Sequence, residues 1–202
     1  MTAVDGRSWI AARYSPGQVE RVAAFLAMVV TENSAQNLIA PSTVDAIWER
    51  HALDSAQLLE FDPGGRWIDI GTGGGFPGVV VAILREEPVV LVEPRARRAA
   101  FLERCVIELG VRNATVFTGK VERLEGVVSE VVSARAVAGM PALLDATRHC
   151  SSTTTRWVFP RGRSGQDDLA SLRRSWHGVF HVEQSIVDPE SAIIILDKVR
   201  RR

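Results

Sequence analysis

Apolar positions recur along this chain with two different periods. Between residue 16 and about residue 31, Val19, Val22, Ala23, Leu26, Val29 and Val30 return at helical spacing and form one face. Ser15-Pro16-Gly17-Gln18 ahead of them reads as a capping box with proline at the first helical position. Residues 1–14 carry little pattern and read as a loose lead-in. After a polar link over 32–41, Ser42-Thr43-Val44-Asp45 can cap a second helix whose shared face holds Ile47, Trp48, His51, Ser55, Leu58 and Leu59. Asp62-Pro63-Gly64-Gly65 is turn chemistry and reads as a hinge. From Arg66 onward β-branched runs alternate with helical stretches. Strands are predicted near 66–70, 88–93, 113–117, 130–133, 156–160, 178–186 and 192–199, and helices near 77–85, 95–109, 139–149 and 165–175. Such alternation predicts a mostly parallel sheet covered on both faces. The last two strands have only Asp188-Pro189-Glu190-Ser191 between them, too little for a crossover, so they should pair antiparallel.

The expected organisation is a small N-terminal helical cap over 1–62 and a larger α/β domain over 63–202. Lys+Arg and Asp+Glu both number 24, so no global basic field announces nucleic acid, and an RNA partner would need local patches. The basic clusters are Arg95 with Arg97 and Arg98, Arg161 with Arg163, Arg173 with Arg174, and Arg200 to Arg202; the Arg161 and Arg163 pair is expected on the ligand side of the sheet. No apolar run approaches the roughly 20 residues of a membrane span, and the first residues lack the order of a signal peptide, so a cytoplasmic protein away from membranes is expected. Cys105 and Cys150 share no metal spacing and are too few for a disulfide framework; reduced, partly buried thiols and no metal site are expected.

Candidate chemistry concentrates in Trp67-Ile68-Asp69-Ile70-Gly71-Thr72-Gly73-Gly74-Gly75-Phe76-Pro77-Gly78. A β-branched run, a glycine turn and a helix start follow one another, and glycines let a ligand approach the main chain without meeting a Cβ. Gly73-x-Gly75-x-x-Gly78 fits a dinucleotide fingerprint, whereas Val79 and Val80 stand where a phosphate-binding loop needs Lys and Ser/Thr. The second pattern is acid-x-Gly-x-Gly-x-Gly, Asp69 through Gly71 and Gly73 to Gly75. A carboxylate expected to face the site there would repel a pyrophosphate but suit an ammonium and a sulfonium, which favours S-adenosyl-L-methionine over NAD.

With such a turn, seven strands are the usual build of a class I (Rossmann-like) methyltransferase, in which ligands sit beyond the carboxyl ends of the strands. Glu93, directly after Val89-Val90-Leu91-Val92, can accept from both ribose hydroxyls in charge-assisted bonds worth roughly 1.5–3 kcal/mol; otherwise it is an exposed acid pairing Arg95 or Arg97. Thr118 to Glu122 is either a backing for an adenine ring or an ordinary connection. Arg135 could hold a cofactor carboxylate or a substrate phosphate, or form an internal salt bridge to Asp69 or Glu93. The fourth strand lacks the Asn/Asp-Pro-Pro-aromatic string of exocyclic-amine methylation and the Pro-linked cysteine of pyrimidine C5 chemistry. Guanine N7 needs neither, because its lone pair is exposed; direct in-line transfer needs no general base, so no catalytic residue is expected.

Asn37-Leu38, Arg50-His51-x-Leu53-Asp54-Ser55, the glycine string through Phe76-Pro77-Gly78, Val121-Glu122 and Ser133-Ala134-Arg135-Ala136-Val137-Ala138 occur in the order and spacing of one family. From about residue 20 to its C-terminus the chain resembles the bacterial small-subunit ribosomal RNA guanine-N7 methyltransferases G, also called glucose-inhibited division protein B. The resemblance implies cofactor contacts at Gly71, Phe76, Val121, Glu122 and Arg135, with Glu93 in the acidic position after the second strand. It also implies a guanine of 16S rRNA, in RNA or a small-subunit precursor, as substrate; a monomer is expected. Three positions depart from the pattern: Gln36 stands where Tyr is frequent, Arg161-Gly162 replaces Lys-Gly, and Ser151 to Thr155 lacks the customary glycines. Arg161 and Arg163 are candidate substrate-phosphate contacts, while His51 and Asp54, one helical turn apart, are expected to tie the cap to the domain. Two alternatives stay open, a class I methyltransferase acting on a small molecule or protein and an NAD-binding Rossmann dehydrogenase.

Overall fold

In the computed structural model the described residues are 4–135, 139–162 and 165–202. Residues 4–14 are not a loose lead-in, and residues 1–3 lie outside the described ones. Helix α1 (Gly6–Ala11) starts on Asp5, whose carboxylate accepts from the amides of Arg7 and Ser8, and it delivers Ile10 fully buried into the core. Six residues are too few for a periodic pattern, which is why the sequence hid it. Helix α2 (Pro16–Gln36) forms the capping box through Ser15 and Gln18, outruns its apolar stripe and stops at Asn37 in the left-handed conformation.

The expected second cap helix is instead a path of changing pitch. A 3-10 turn (Pro41–Thr43) is followed by a π-helical stretch (Trp48–Leu53), then α3 (Asp54–Ala56) and a 3-10 stretch (Gln57–Phe61). Rotation of the wider π turn resets which side chains share a face.

Seven strands follow: β1 (Trp67–Ile70), β2 (Val89–Glu93), β3 (Ala114–Thr118), β4 (Val131–Ala134), β5 (Arg156–Arg161), β6 (Trp176–Gln184) and β7 (Ala192–Arg201). Helices α4 (Gly78–Leu84), α5 (Ala96–Glu108), α6 (Met140–Ala146) and α7 (Gly165–Ser175) join them, so the helix expected over 139–149 ends early and is continued by a 3-10 turn, Arg148–Cys150. Sheet order is β3-β2-β1-β4-β5-β7-β6, parallel except for β7, which runs antiparallel to both neighbours. The chain leaves β1 toward β2 and β3, then returns to place β4 on the other side of β1. That reversal opens a crevice beyond the ends of β1 and β4.

Strand alternation divides the core in two. Trp67, Leu91, Val131 and Val158 face α2, α4, α5 and the cap, while Ile68, Ile70, Val132 and Phe159 face α6, α7 and the base of the hairpin. Phe25, Val22 and Ile10 of the cap belong to the first of these cores, so the cap packs on the sheet side that carries the glycine turn. Cys105 and Cys150 are free and buried, and burial pushes their thiols up to about 12 and about 11. Among the described residues no helix is long and apolar enough to cross a membrane.

Candidate methyl-donor site and adjoining cavity

Beyond β1 the chain turns through Gly71, Gly73 and Gly75, all at positive φ. The amides of Gly71 and Thr72 donate to the carbonyl of Val92, which ties the turn to the end of β2. Glu93 then closes it. Its Oε2 accepts from the amide of Gly73 at 2.9 Å and its Oε1 from the amide of Arg95 at 2.8 Å, while its carbonyl accepts from Gly119 at 3.0 Å. The acid that ends β2 is therefore neither exposed nor paired with Arg95 or Arg97 through their side chains. It joins three loops, and a carboxylate with one amide on each oxygen retains acceptor capacity for hydroxyl donors. Val121 lies buried in the 3-10 turn Val121–Arg123 after β3, and Glu122 is exposed there.

Asp69 corrects the expectation that its carboxylate faces the ligand. On β1 it shares the face of Trp67, pointing into the core, and it is fully buried. Its Oδ1 accepts from Ser133 Oγ at 2.6 Å and its Oδ2 from the amide of Gly78 at 3.0 Å. Ser133 in turn accepts from Trp67 Nε1 at 2.7 Å. Burial raises the Asp69 pKa to about 6 against the opposing pull of these bonds. Asp69 thus sets the path of the glycine turn from beneath. A Cβ on Gly78 would stand 2.6 Å from Asp69 Oδ2 and 2.4 Å from Leu91, and one on Gly75 would stand 2.4 Å from Phe25. These two glycines serve close packing, whereas a Cβ on Gly73 would meet nothing nearer than 3.6 Å.

Phe76 is nearly buried between Phe25 and His51, with ring centroids at 5.1 and 4.9 Å. Over its ring, 5.2 Å from the centroid, lies the guanidinium of Arg135, the residue after β4. Arg135 pairs with neither Asp69 nor Glu93 but with the cap: Nη1 donates to Asp54 Oδ2 at 3.1 Å and Nη2 to His51 Nδ1 at 3.0 Å. Through this arginine, His51 and Asp54 connect the stretch between α2 and β1 to the end of β4. Burial, aided by Arg135 and Arg50, lowers the His51 pKa to about 3, so the ring is neutral. Burial raises the Asp54 pKa, and Arg135 opposes that shift.

Arg135, His51 and Asp54 also line a cavity of about 630 Å³ between the cap, the ends of β4 and β5 and the β6–β7 turn. Arg161 at the end of β5 reaches it, although it is largely buried against Phe159. Arg50 enters from the cap, paired with Asp188 of the β6–β7 turn at 3.2 Å. From sequence, Arg135 and, of the basic clusters, the Arg161 and Arg163 pair are expected on this side. Spacing alone gives Arg50 no place over the sheet, and Arg98, one of the basic cluster at 95–98, lies beside the glycine turn. Gln36, at the position that departs from Tyr, donates to Glu32 and to the carbonyl of Arg97. Arg163, and Ala136 to Ala138 of the string after β4, lie outside the described residues.

Residues 18–202 match the family model described as rRNA small subunit methyltransferase G (GidB). The chain is 44% identical over 197 residues to Ribosomal RNA small subunit methyltransferase G of Sphingopyxis alaskensis, covering 94% of this chain and 83% of that one. It is 41% identical to the protein of the same name from Rhizorhabdus wittichii, over all of this chain and 95% of that one. Among solved structures, a SAM-dependent methyltransferase from Aquifex aeolicus aligns with a TM-score of 0.61 at 13% identity, covering 79% of this chain and 94% of that one. An O-methyltransferase from Bacillus cereus in complex with SAH aligns at 0.60 and 14% identity, covering 87% and 91%. The two structures share the fold, a class I methyltransferase sheet. The match along nine-tenths of the sequence carries more: this chain belongs to the rRNA small subunit methyltransferase G family.

Proposed function

We propose that the protein transfers a methyl group from S-adenosylmethionine to N7 of a guanine in 16S ribosomal RNA, with the nucleotide seated in the cavity beside Arg135. One observation carries the reading. The same guanidinium covers Phe76 of the glycine turn and lines the 630 Å³ cavity, so donor side and acceptor side meet at one residue.

The residues present fit the donor. Gly71 and Gly73 leave main chain open to a ligand, and Glu93 offers acceptors to a ribose diol. Val121 adds apolar surface, Glu122 stands beside it in the same turn, and Arg135 supplies a cation for a carboxylate. S-adenosylmethionine supplies, when bound, a methyl group on an electron-poor sulfonium sulfur. The chain's own contribution is to align the acceptor and exclude water.

Among the cavity's described titratable groups, His51 has Nδ1 committed to Arg135 and Nε2 beside Thr43, Asp54 accepts from Arg135 and Gln57, and Asp188 is paired with Arg50. Guanine N7 asks none of them for a proton transfer, because its lone pair needs no deprotonation. Arg50 and Arg161 supply positive charge for the phosphates flanking the nucleotide.

Labelled methyl transfer to small ribosomal subunits and to naked RNA, both from a strain lacking the gene, tests this. Label should appear at one guanine N7; label at another atom, or in neither substrate, rejects it.

A further inference from the structure

We infer that His51 and Asp54 are positioning residues for Arg135, so that two side chains of the helical cap orient the guanidinium at the junction of glycine turn and cavity. The inference rests on the reading of Arg135 as a contact to the methyl donor. Arginine carries donors and no acceptor, so the 3.0 Å contact to His51 Nδ1 requires a lone pair on that nitrogen and a proton on Nε2. The far side of the ring agrees. Nε2 lies 2.8 Å from Thr43 Oγ1, and that hydroxyl directs its own proton to the carbonyl of Ala40, also at 2.8 Å, leaving its oxygen to accept from Nε2–H. Donation therefore runs in one direction, from Arg135 to His51 to Thr43 to the Ala40 carbonyl.

Asp54 holds the neighbouring nitrogen. Its Oδ2 accepts from Nη1 at 3.1 Å, and its Oδ1 is kept from turning by Gln57 Nε2 at 3.0 Å. The carbonyl of Arg50 adds a longer contact to Nη1 at 3.4 Å. Acceptors on two adjacent nitrogens fix the plane of the fork, and Phe76 supports its face. An arginine so held enters binding without losing the rotamer freedom that a solvent-exposed one would lose. The cap thereby contributes to the site through groups that need not touch either ligand.

Calorimetry with S-adenosylhomocysteine on wild type, His51→Phe, Arg135→Ala and the double variant tests this. His51→Phe keeps an aromatic ring beside Phe76 but loses the acceptor, and should weaken binding about five- to tenfold. The double variant should bind no more weakly than Arg135→Ala alone, because His51 acts through Arg135. His51→Asn, which restores an acceptor near the place of Nδ1, should recover part of the loss. Additive losses in the double variant, or wild-type affinity in His51→Phe, would overturn the inference. The unliganded protein gives an independent readout: the Nη protons of Arg135, assigned by their loss in Arg135→Ala, should be resolved in wild type and merge in His51→Phe. Resonances unchanged by His51→Phe overturn it. Wild-type protein that binds no S-adenosylhomocysteine would strike the methyl-donor reading, and the resonance experiment would still decide this one.

Discussion

Glu93 Oε2 and the amide of Gly73 lie 2.9 Å apart, so the acid that ends β2 and the turn that follows β1 are one construction. Two strands joined along their length by main-chain pairing are also linked at their ends by a side chain. The acceptor that can take a ribose also shapes the loop beneath it, and a substitution there acts on both.

Replacing Glu93 by Gln should weaken S-adenosylhomocysteine binding by about tenfold, since a charge-assisted acceptor becomes neutral and its amide group must face one of two main-chain N–H donors. Calorimetry measures it. Affinity equal to wild type would place the ribose elsewhere.

Ser133→Ala should destabilise the fold by about 2 kcal/mol or more, because it leaves both Asp69 Oδ1 and Trp67 Nε1 buried and unsatisfied. Urea unfolding reports the change directly. A loss under about 0.5 kcal/mol would mean that the buried triad is replaced by other bonds.

Gly78→Ala should lower stability by about 1–3 kcal/mol, because the added methyl meets Asp69 Oδ2 at 2.6 Å and Leu91 at 2.4 Å. Gly73→Ala meets no such neighbour in the protein, and its methyl projects from the turn. Because Gly73 holds φ +59, alanine there strains the backbone by about 1–2 kcal/mol, so thermal unfolding should register both variants, while ligand affinity should register Gly73→Ala.

The pH dependence of stability includes two opposed contributions, from His51 and from Asp69. His51 falls from 6.5 to about 3 on folding, so below pH 6.5 the unfolded chain takes up a proton that the folded one does not, and stability is lost as pH falls toward 3. Asp69 rises from 3.8 to about 6, so its contribution runs the other way, declining as pH rises through that window. Subtracting the unfolding curve of His51→Phe from that of wild type cancels Asp69 and should expose a slope of up to about 1.4 kcal/mol per pH unit between pH 4 and 6. In nitrogen resonances the ring should stay neutral with its proton on Nε2 down to pH 5; titration near 6.5 would refute the buried geometry.

Cys105 and Cys150 should resist a thiol reagent in the native protein and react together on unfolding, since both are buried with raised pKa values. Rapid labelling of either without denaturant would show that its core opens locally.

The order of strands and helices, the hairpin and the glycine turn were legible in the sequence because each is written in local terms: apolar runs of one period, caps, and linkers too short to cross a sheet. The capping box at Ser15 and Gln18 is of the same kind. What a side chain does within that frame was not written locally. Asp69 stood in a pattern that suits a ligand-facing acid, yet strand alternation puts it on the inner face with Trp67, and packing against Ser133 and Gly78 consumes both its oxygens. Arg135 had an expected acid nearby in the sheet, but its acid comes from Asp54, far away in sequence, because a π-helical stretch turns the cap over the end of β4. Spacing and composition determine which elements exist and where a ligand turn must fall. Tertiary structure alone decides which charges are spent inside and which reach the cavity, since burial and hydrogen-bond geometry depend on residues that only folding brings together.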